Sequence, residues 1–266
     1  VLELYHFSIS TCSQKVRLVL DEKGIDHVSR EVNLTAGEQH NPEYVKLNPN
    51  HVVPTLVHDG KVFIESSHII EYLDDLYPDP PMRPTDAEGR YRVSTWLGYL
   101  DKKVHVQAPL LTYALGARKV ILQQPKDVRD ANLDSIPDPV ARAARRSVVE
   151  NGVQAPEFAG ALGEFINMLD KIEGDLGAQA WLSGDHFGLA DATAIPYVLR
   201  LDDLALEKLF SAEVRPRTAD WFERLTSLNS YQSAVAKWRN AEIVDLLKEA
   251  SRESSAEIDA LLNRRD

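Results

Sequence analysis

The 266-residue chain has a single cysteine, Cys12, and one thiol can close neither an internal disulfide nor a cysteine-rich zinc site. A secreted, disulfide-framed domain is therefore excluded, and a lone thiol fits a reducing cytoplasm. Positive charge is in deficit. Thirty Lys plus Arg face 41 Asp plus Glu, a formal net charge of −11, and no basic patch is segregated along the chain, so neither nucleic acid nor a membrane surface is an expected partner. No apolar run reaches the roughly 18–20 residues of a membrane span, and Val1-Leu2-Glu3 lacks the basic opening of a signal peptide. No Gly-x-Gly-x-x-Gly follows the first strand pattern, which disfavours a dinucleotide-dependent enzyme. Internal repeats and metal-ligand spacings are also missing, so no metal is expected.

What is present is an ordinary core-forming composition, 44% hydrophobic. A chain of this length can bury roughly 70–75% of its unfolded surface, enough for one large or two modest domains. Leu2 to Phe7 alternates like a strand. After a Ser-rich loop, Val16, Val19 and Leu20 fall at helical spacing, with Lys15, Arg17, Asp21 and Glu22 on the wetter side and Gly24 placed to end the helix. His27 to Leu34 reads as a second strand, parallel to the first because the connection is a long crossover. Two apolar runs, Thr55–His58 and Lys61–Ile64, flank Asp59-Gly60, the clearest hairpin signal in the sequence. Ser67 to Tyr77 is helical, with Ile69, Ile70 and Leu73 toward a core.

Pro78, Pro80, Pro81 and Pro84 exclude both helix and central strand and mark a boundary. The expected division is residues 1–77, a linker at 78–88, and an all-α C-terminal helical bundle over 89–266. Helices are expected over Arg90–Val106, Pro139–Val149, Glu157–Leu176, Leu189–Leu201, Thr218–Leu228 and Ser230–Ala250. Gln123 to Pro139 reads as an irregular excursion, and Ser251 to Asp266 as a terminal helix or frayed tail.

Three features of the first 77 residues carry chemistry. The loop Ser8 to Gln14 lies between the first strand and helix, where an open sheet presents a ligand crevice. Thr11 and Gln14 have capping-box spacing, which puts Cys12 among free N–H groups at a positive helix end. A thiol there, whether Cys12 or one brought from outside, is stabilised as thiolate. Equally, Cys12 can be a small buried hydrophobe above ordinary caps. Second, Pro54 before an apolar strand can fix a tight turn that presents the Val53 backbone to an extended peptide, or simply start the strand. Third, Glu65-Ser66 opens a helix; a hydroxyl at a helix N-terminus binds a carboxylate, and an adjacent acid an ammonium. By itself this is common capping. Together the three describe a short thiol peptide with a γ-linked glutamyl end, namely glutathione.

With those residues in view, the sequence resembles the glutathione transferase superfamily over most of its length. Ser10-Thr11-Cys12-Ser13 with Val16-Arg17 is similar to the Ser-x-Cys-Ser loop of the zeta class, which includes maleylacetoacetate isomerases, and of tetrachlorohydroquinone reductive dehalogenases. Leu47-Asn48-Pro49 through Val53-Pro54-Thr55-Leu56 resembles the approach to the family's cis-proline turn, and Glu65-Ser66 followed by Ile69 to Leu73 its γ-glutamyl site. Asn132 to Gly152, with Arg142, Arg145 and Arg146, resembles bacterial lignin β-etherases. Gly188-Leu189-Ala190-Asp191 stands where the family has a Ser/Thr-x-x-Asp capping box, so the cap hydroxyl is missing here. Thr218 to Tyr231 resembles the family's penultimate helices. The resemblance implies an α+β thioredoxin-like N-terminal domain of βαβ-ββα order plus the bundle, glutathione as cosubstrate, and a homodimer.

It further implies that Ser10 hydrogen-bonds the glutathione sulfur, that Thr11, Val53, Pro54, Glu65 and Ser66 hold the tripeptide, and that Ile9, Trp96, His105 and Tyr113 line an electrophile pocket. Val52 replaces a polar residue of many relatives, so Gln39, His40 or His51 is expected to reach the glycine carboxylate; each of Trp96, His105, Tyr113 and His51 has a purely structural alternative. The expected activity is a transferase acting on a small hydrophobic, aromatic or ring-derived electrophile, in detoxification or aromatic compound catabolism. β-Aryl ether cleavage, dehalogenation, isomerisation and Cys12-mediated reductive thiol transfer all fit the same loop. A non-catalytic glutathione-binding scaffold is the alternative of another class, disfavoured because a scaffold has no need of Ser10, Pro54, Glu65 and Ser66 together.

Overall fold

The computed structural model describes residues 1–263; the last three residues of the expected tail, Arg264 to Asp266, lie outside the described residues. The chain packs as two compact units. One comprises residues 1–98, 175–196 and 219–240, the other 99–174, 197–218 and 241–266.

The first unit contains a four-stranded sheet in the order β2-β1-β3-β4, built from β1 (Leu2–His6), β2 (Val28–Glu31), β3 (Thr55–His58) and β4 (Lys61–Phe63). β1 runs parallel to β2 and antiparallel to β3, with Leu4 opposite Leu56, and β3 and β4 form the antiparallel hairpin. Asp59 and Gly60 both have positive φ, +48° and +79°, as a two-residue hairpin turn requires. α1 (Thr11–Glu22) ends before Gly24, whose φ of +60° supplies the left-handed stop. It packs on α3 (Ser66–Leu76), which buries Ile69, Ile70 and Leu73 completely. The short α2 (Pro42–Leu47) precedes the Val53–Pro54 peptide, which is cis. The proline segment is pinned to this unit: Asp74 accepts from Met82 N–H at 3.0 Å and Arg83 Nε at 2.7 Å, and Lys23 donates to the Tyr77 and Pro80 carbonyls.

Beyond it the regular elements among the described residues are helices: α4 (Ala87–Tyr99), α5 (Ala108–Leu111), α6 (Arg118–Gln123), α7 (Lys126–Asp134), α8 (Pro139–Asn151), α9 (Pro156–Asp175), α10 (Leu189–Asp203), α11 (Pro216–Thr226), α12 (Asn229–Ala234), α13 (Ala241–Arg252) and α14 (Ser255–Leu262). Three expectations need correction. Gln123–Pro139 is not irregular, because Pro125 stands immediately before α7, where its missing N–H costs nothing. The helix expected over Ser230–Ala250 breaks between α12 and α13 at a 3₁₀ turn, Ala236–Trp238. The helix expected over Arg90–Val106 loosens after Tyr99 into π geometry over Leu100–Val104, and a second π segment covers Thr112–Ala117. Among the described residues no helix is long and apolar enough to cross a membrane, and no cluster of His, Cys, Asp or Glu is arranged to hold a metal.

Candidate active site

The first turn of α1 is built differently from the capping box that Thr11 and Gln14 suggest. Ser10, with extended backbone, is the cap, and its Oγ accepts the Ser13 N–H at 3.3 Å. Thr11 is the first helical residue, and Gln14 turns its Oε1 into the interior, where it has no hydrogen-bond partner. The Ser10 hydroxyl is half-buried and, accepting one bond, keeps its hydrogen to donate. Ser13 Oγ in turn accepts the Phe7 N–H at 3.2 Å, which closes the loop on itself. Cys12 sits half-buried in the same turn, two residues past Ser10.

Two side chains expected on the wetter side of the helix hold this loop from behind. Arg17 and Lys15 are not on a wet face: Arg17 is 2% exposed and Lys15 not at all. The Arg17 guanidinium donates to the carbonyls of Phe7 (3.2 Å), Ser8 (2.8 Å) and Ala234 (2.6 Å) and to His6 Nδ1 (3.0 Å). A buried cation is tolerable when every donor has an acceptor. Burial lowers its pKa to about 10, which leaves it charged at neutral pH. His6, wholly buried and edge-on to Trp238 at 4.7 Å, is lowered to about 3, first by burial and then by Arg17, and so is neutral. Lys15 Nζ bonds Ser67 Oγ at 2.9 Å and fastens the first turn of α1 to that of α3.

That contact brings Ser10, Thr11 and Cys12 onto a frame shared with Glu65 and Ser66. Glu65 is exposed with φ +69°, a conformation costly for a residue with a side chain and concentrated at functional sites. Ser66, buried, opens α3. The Val53–Pro54 turn joins the same frame through an apolar cluster of Phe7, Val32, Tyr44 and Val53, with Ile9 packed against it. Tyr44 and Asn48 both donate to the Val52 carbonyl, at 2.6 and 2.9 Å, and so fix the approach to the cis bond. The Val53 N–H and C=O have no partner among the described residues. Gln39, His40 and His51 form a cluster of their own, with Gln39 Nε2 3.2 Å from His40 Nε2 and the two facing Nδ1 atoms 3.2 Å apart.

The remaining residues separate. Trp96 is fully buried and donates to Asp175 at 2.9 Å; it is packing, and the expectation that it lines a pocket is corrected. In the second unit, His105 is half-buried after the first π segment, its ring 6.3 Å from that of Tyr197. Tyr113 lies in the second π segment, under the Arg145 guanidinium at 3.9 Å. Sequence reasoning missed Arg17, His6, Lys15, Tyr44 and Asn48 as supports of the site. Only Arg17 and Asn48 stood in motifs it used.

The decisive observation comes from comparison with known families. Residues 4–81 match the glutathione S-transferase N-terminal domain, and residues 143–224 its C-terminal domain. The chain belongs to the glutathione S-transferase superfamily. It is therefore an enzyme of a family whose cosubstrate is glutathione. Glutathione S-transferase TCHQD of Arabidopsis thaliana is 26% identical over 90% of this chain and 91% of its own length. Glutathione S-transferase Z2 of the same plant is 46% identical, over 34% of this chain and 40% of its own length. Protein LigF of Sphingobium sp. is 25% identical over 91% of this chain and 96% of its own. The β-etherase LigF crystal structure shares the fold at a TM-score of 0.79, covering 89% of this chain and 99% of that one, at 24% identity.

The family's capping box at α10 is present in altered form. Asp191, fully buried, accepts the Gly188 N–H at 3.2 Å, together with Leu182 N–H (2.8 Å), Ser183 N–H (3.1 Å) and Trp221 Nε1–H (2.8 Å). The hydroxyl missing at Gly188 is supplied from elsewhere: Ser183 Oγ accepts the Ala190 N–H at 3.1 Å. A side chain at 188 has no room, because its Cβ would stand 2.3 Å from the Met82 carbonyl.

Proposed function

We propose that this enzyme conjugates glutathione to a hydrophobic aromatic electrophile, in the detoxification or catabolism of aromatic compounds, including β-aryl ether cleavage or dehalogenation. The observation that carries the proposal is the Ser10 hydroxyl: it accepts one bond from its own helix and keeps a hydrogen for the glutathione sulfur. A hydrogen bond to the anionic form favours it, and the N–H groups of the first turn act in the same sense. About 1.4 kcal/mol corresponds to a tenfold gain in ionisation, so a few kcal/mol bring an ordinary thiol near neutrality, where the thiolate can attack. Val53 offers its peptide groups to the extended tripeptide. Glu65 and Ser66 take the two charges of the γ-glutamyl end, and Gln39, His40 and His51 lie as a group for the glycine carboxylate. Thr11, Pro54 and Ile9 shape the floor of the same site.

Ser10→Ala is the test. The pH needed for half-maximal conjugation rises by about one to two units, while retention on immobilised glutathione persists; an unchanged profile contradicts the role of Ser10. We read the working form as a cytoplasmic homodimer, on family resemblance; sedimentation of the purified protein decides the second point.

The position of Cys12 supports a second chemistry at the same site. Its thiolate attacks the sulfur of a glutathionyl product, the carbon–sulfur bond breaks, and the carbanion leaving group takes a proton. A second glutathione then resolves the Cys12 mixed disulfide to glutathione disulfide. Mass spectrometry during turnover decides: a glutathionylated Cys12 peptide supports this route, and full activity of Cys12→Ala without one removes it.

A further inference from the structure

A single carbonyl links a buried cation to Ser10. The Phe7 C=O accepts the Ser10 N–H at 3.2 Å and, on its second lone pair, Nη1 of Arg17, also at 3.2 Å. Nη2 of the same guanidinium takes the next carbonyl, that of Ser8, at 2.8 Å. Both acceptors lie in the strand-to-helix corner just ahead of Ser10, and all of these residues belong to the first unit.

The guanidinium is itself anchored elsewhere in that unit. Its Nε donates at 2.6 Å to the carbonyl of Ala234, the last residue of α12, and its central carbon stands 5.3 Å from the ring centroid of Trp238, in the 3₁₀ turn that follows. Nη1 also meets His6 Nδ1 at 3.0 Å. A guanidinium only donates, so Nδ1 is the acceptor, the hydrogen of the neutral imidazole is on Nε2, and its partner there is Ser29 Oγ on β2. Arg17 therefore ties the corner to α12 on one side and, through His6, to an edge strand of the sheet on the other. A flat fork of donors spans three carbonyls and a ring nitrogen at once; the compact ammonium of a lysine does not. Packing alone needs none of this, because a buried apolar side chain fills such a space without desolvating a charge.

We propose that Arg17 is a positioning residue for the transferase chemistry: by fixing the Phe7 carbonyl to which the Ser10 N–H is tied, it holds the Ser10 hydroxyl where it reaches the glutathione sulfur. The inference rests on the transferase reading above, which it deepens by naming what keeps Ser10 in register. Hydrogen bonds weaken steeply with distance and angle, and a misplacement of about 1 Å can cost roughly 100-fold in rate.

The test is a double-mutant cycle read on the ionisation of glutathione in the binary complex, by the ultraviolet absorbance of its thiolate. Arg17→Met raises the midpoint by about one pH unit, roughly tenfold in ionisation, and Arg17→Lys raises it by less. In a Ser10→Ala background neither substitution moves it further. An unmoved midpoint in Arg17→Met makes the residue structural alone, and additive shifts mean that its charge acts on the sulfur without Ser10; either result overturns the proposal. Should Arg17→Met not fold, Arg17→Lys carries the same cycle, since it keeps the charge and loses the fork, and an unmoved midpoint again overturns it. Failure of the transferase reading is separable: it shows as no retention on immobilised glutathione and no thiolate in the wild-type complex. Cys12, the single thiol and in the same turn, then judges Arg17 without glutathione. Near about pH 10, above the pKa of an ordinary thiol, access sets its rate of alkylation by iodoacetamide. A rise of about threefold or more in Arg17→Lys supports the hold on the loop, and an equal rate overturns it.

Discussion

The first turns of α1 and α10 solve the same problem in opposite ways. Each helix begins with N–H groups that no earlier carbonyl can accept, and each answers with side-chain oxygens. At α10 every acceptor is filled and the end is sealed: Asp191 takes four N–H donors with no exposure to solvent, and Ser183 takes a fifth. At α1 the end is open. Ser10 accepts one bond, is half-buried, and retains its own hydrogen. Capping chemistry is thus common to a structural and a chemical role, and saturation and exposure separate them. The supports differ in kind as well. Backbone and indole N–H groups converge on the sealed end, whereas Arg17, gripping the Phe7 and Ser8 carbonyls, stands behind the open one.

The contrast can be broken most severely at the sealed end. Asp191→Ala leaves those buried donors without an acceptor and is expected to cost about 3–5 kcal/mol, read as a lowered urea midpoint. Gly188→Ala is next, at roughly 2–3 kcal/mol, because the added carbon meets the Met82 carbonyl and Ser183; the same denaturation measures it, and a neutral outcome refutes the steric argument.

At the open end, His6 makes the support sensitive to acid. Its folded pKa of about 3 lies below the ordinary 6.5, so the unfolded chain binds the proton first as pH falls. The contribution is intact above pH 6.5 and is lost progressively toward 3, at no more than about 1.4 kcal/mol for each pH unit. His6→Gln flattens this part of the stability curve; identical slopes in both proteins would show that His6 is not the group responsible. Smallest of all is the effect of Ser10→Ala on stability, about 1 kcal/mol for a lost cap, which thermal denaturation reads. Its effect on chemistry is expected to be far larger, and that disproportion is what marks an open end.

Much of this was readable in the sequence. Alternation at Leu2 to Phe7, Asp59-Gly60 and the crossover before His27 define the sheet, since each depends on neighbours in sequence. The loop Ser10 to Ser13 and the Val53-Pro54 and Glu65-Ser66 pairs stood out for the same reason. Arg17 and Lys15 were misread because a charged residue on a helix normally faces water. Their acceptors come from residues distant in sequence, Ala234 for one and Ser67 for the other. Gln14 failed for a local reason: moving the cap by one residue to Ser10 takes it out of capping register. Gly188 looked like a missing cap because the replacing hydroxyl, Ser183, lies outside the motif that reasoning inspects. The pairing of Arg145 with Tyr113, across 32 residues, has no periodic signature at all.

The central claim is that the hydrogen kept by Ser10 stabilises the sulfur anion of bound glutathione. Ultraviolet titration of the thiolate in the binary complex, before any electrophile is added, measures this directly. The account predicts ionisation near neutrality in the wild type and a return toward the pKa of an ordinary thiol, about 8.5, in Ser10→Ala. Coincident titration curves for the two proteins would contradict it.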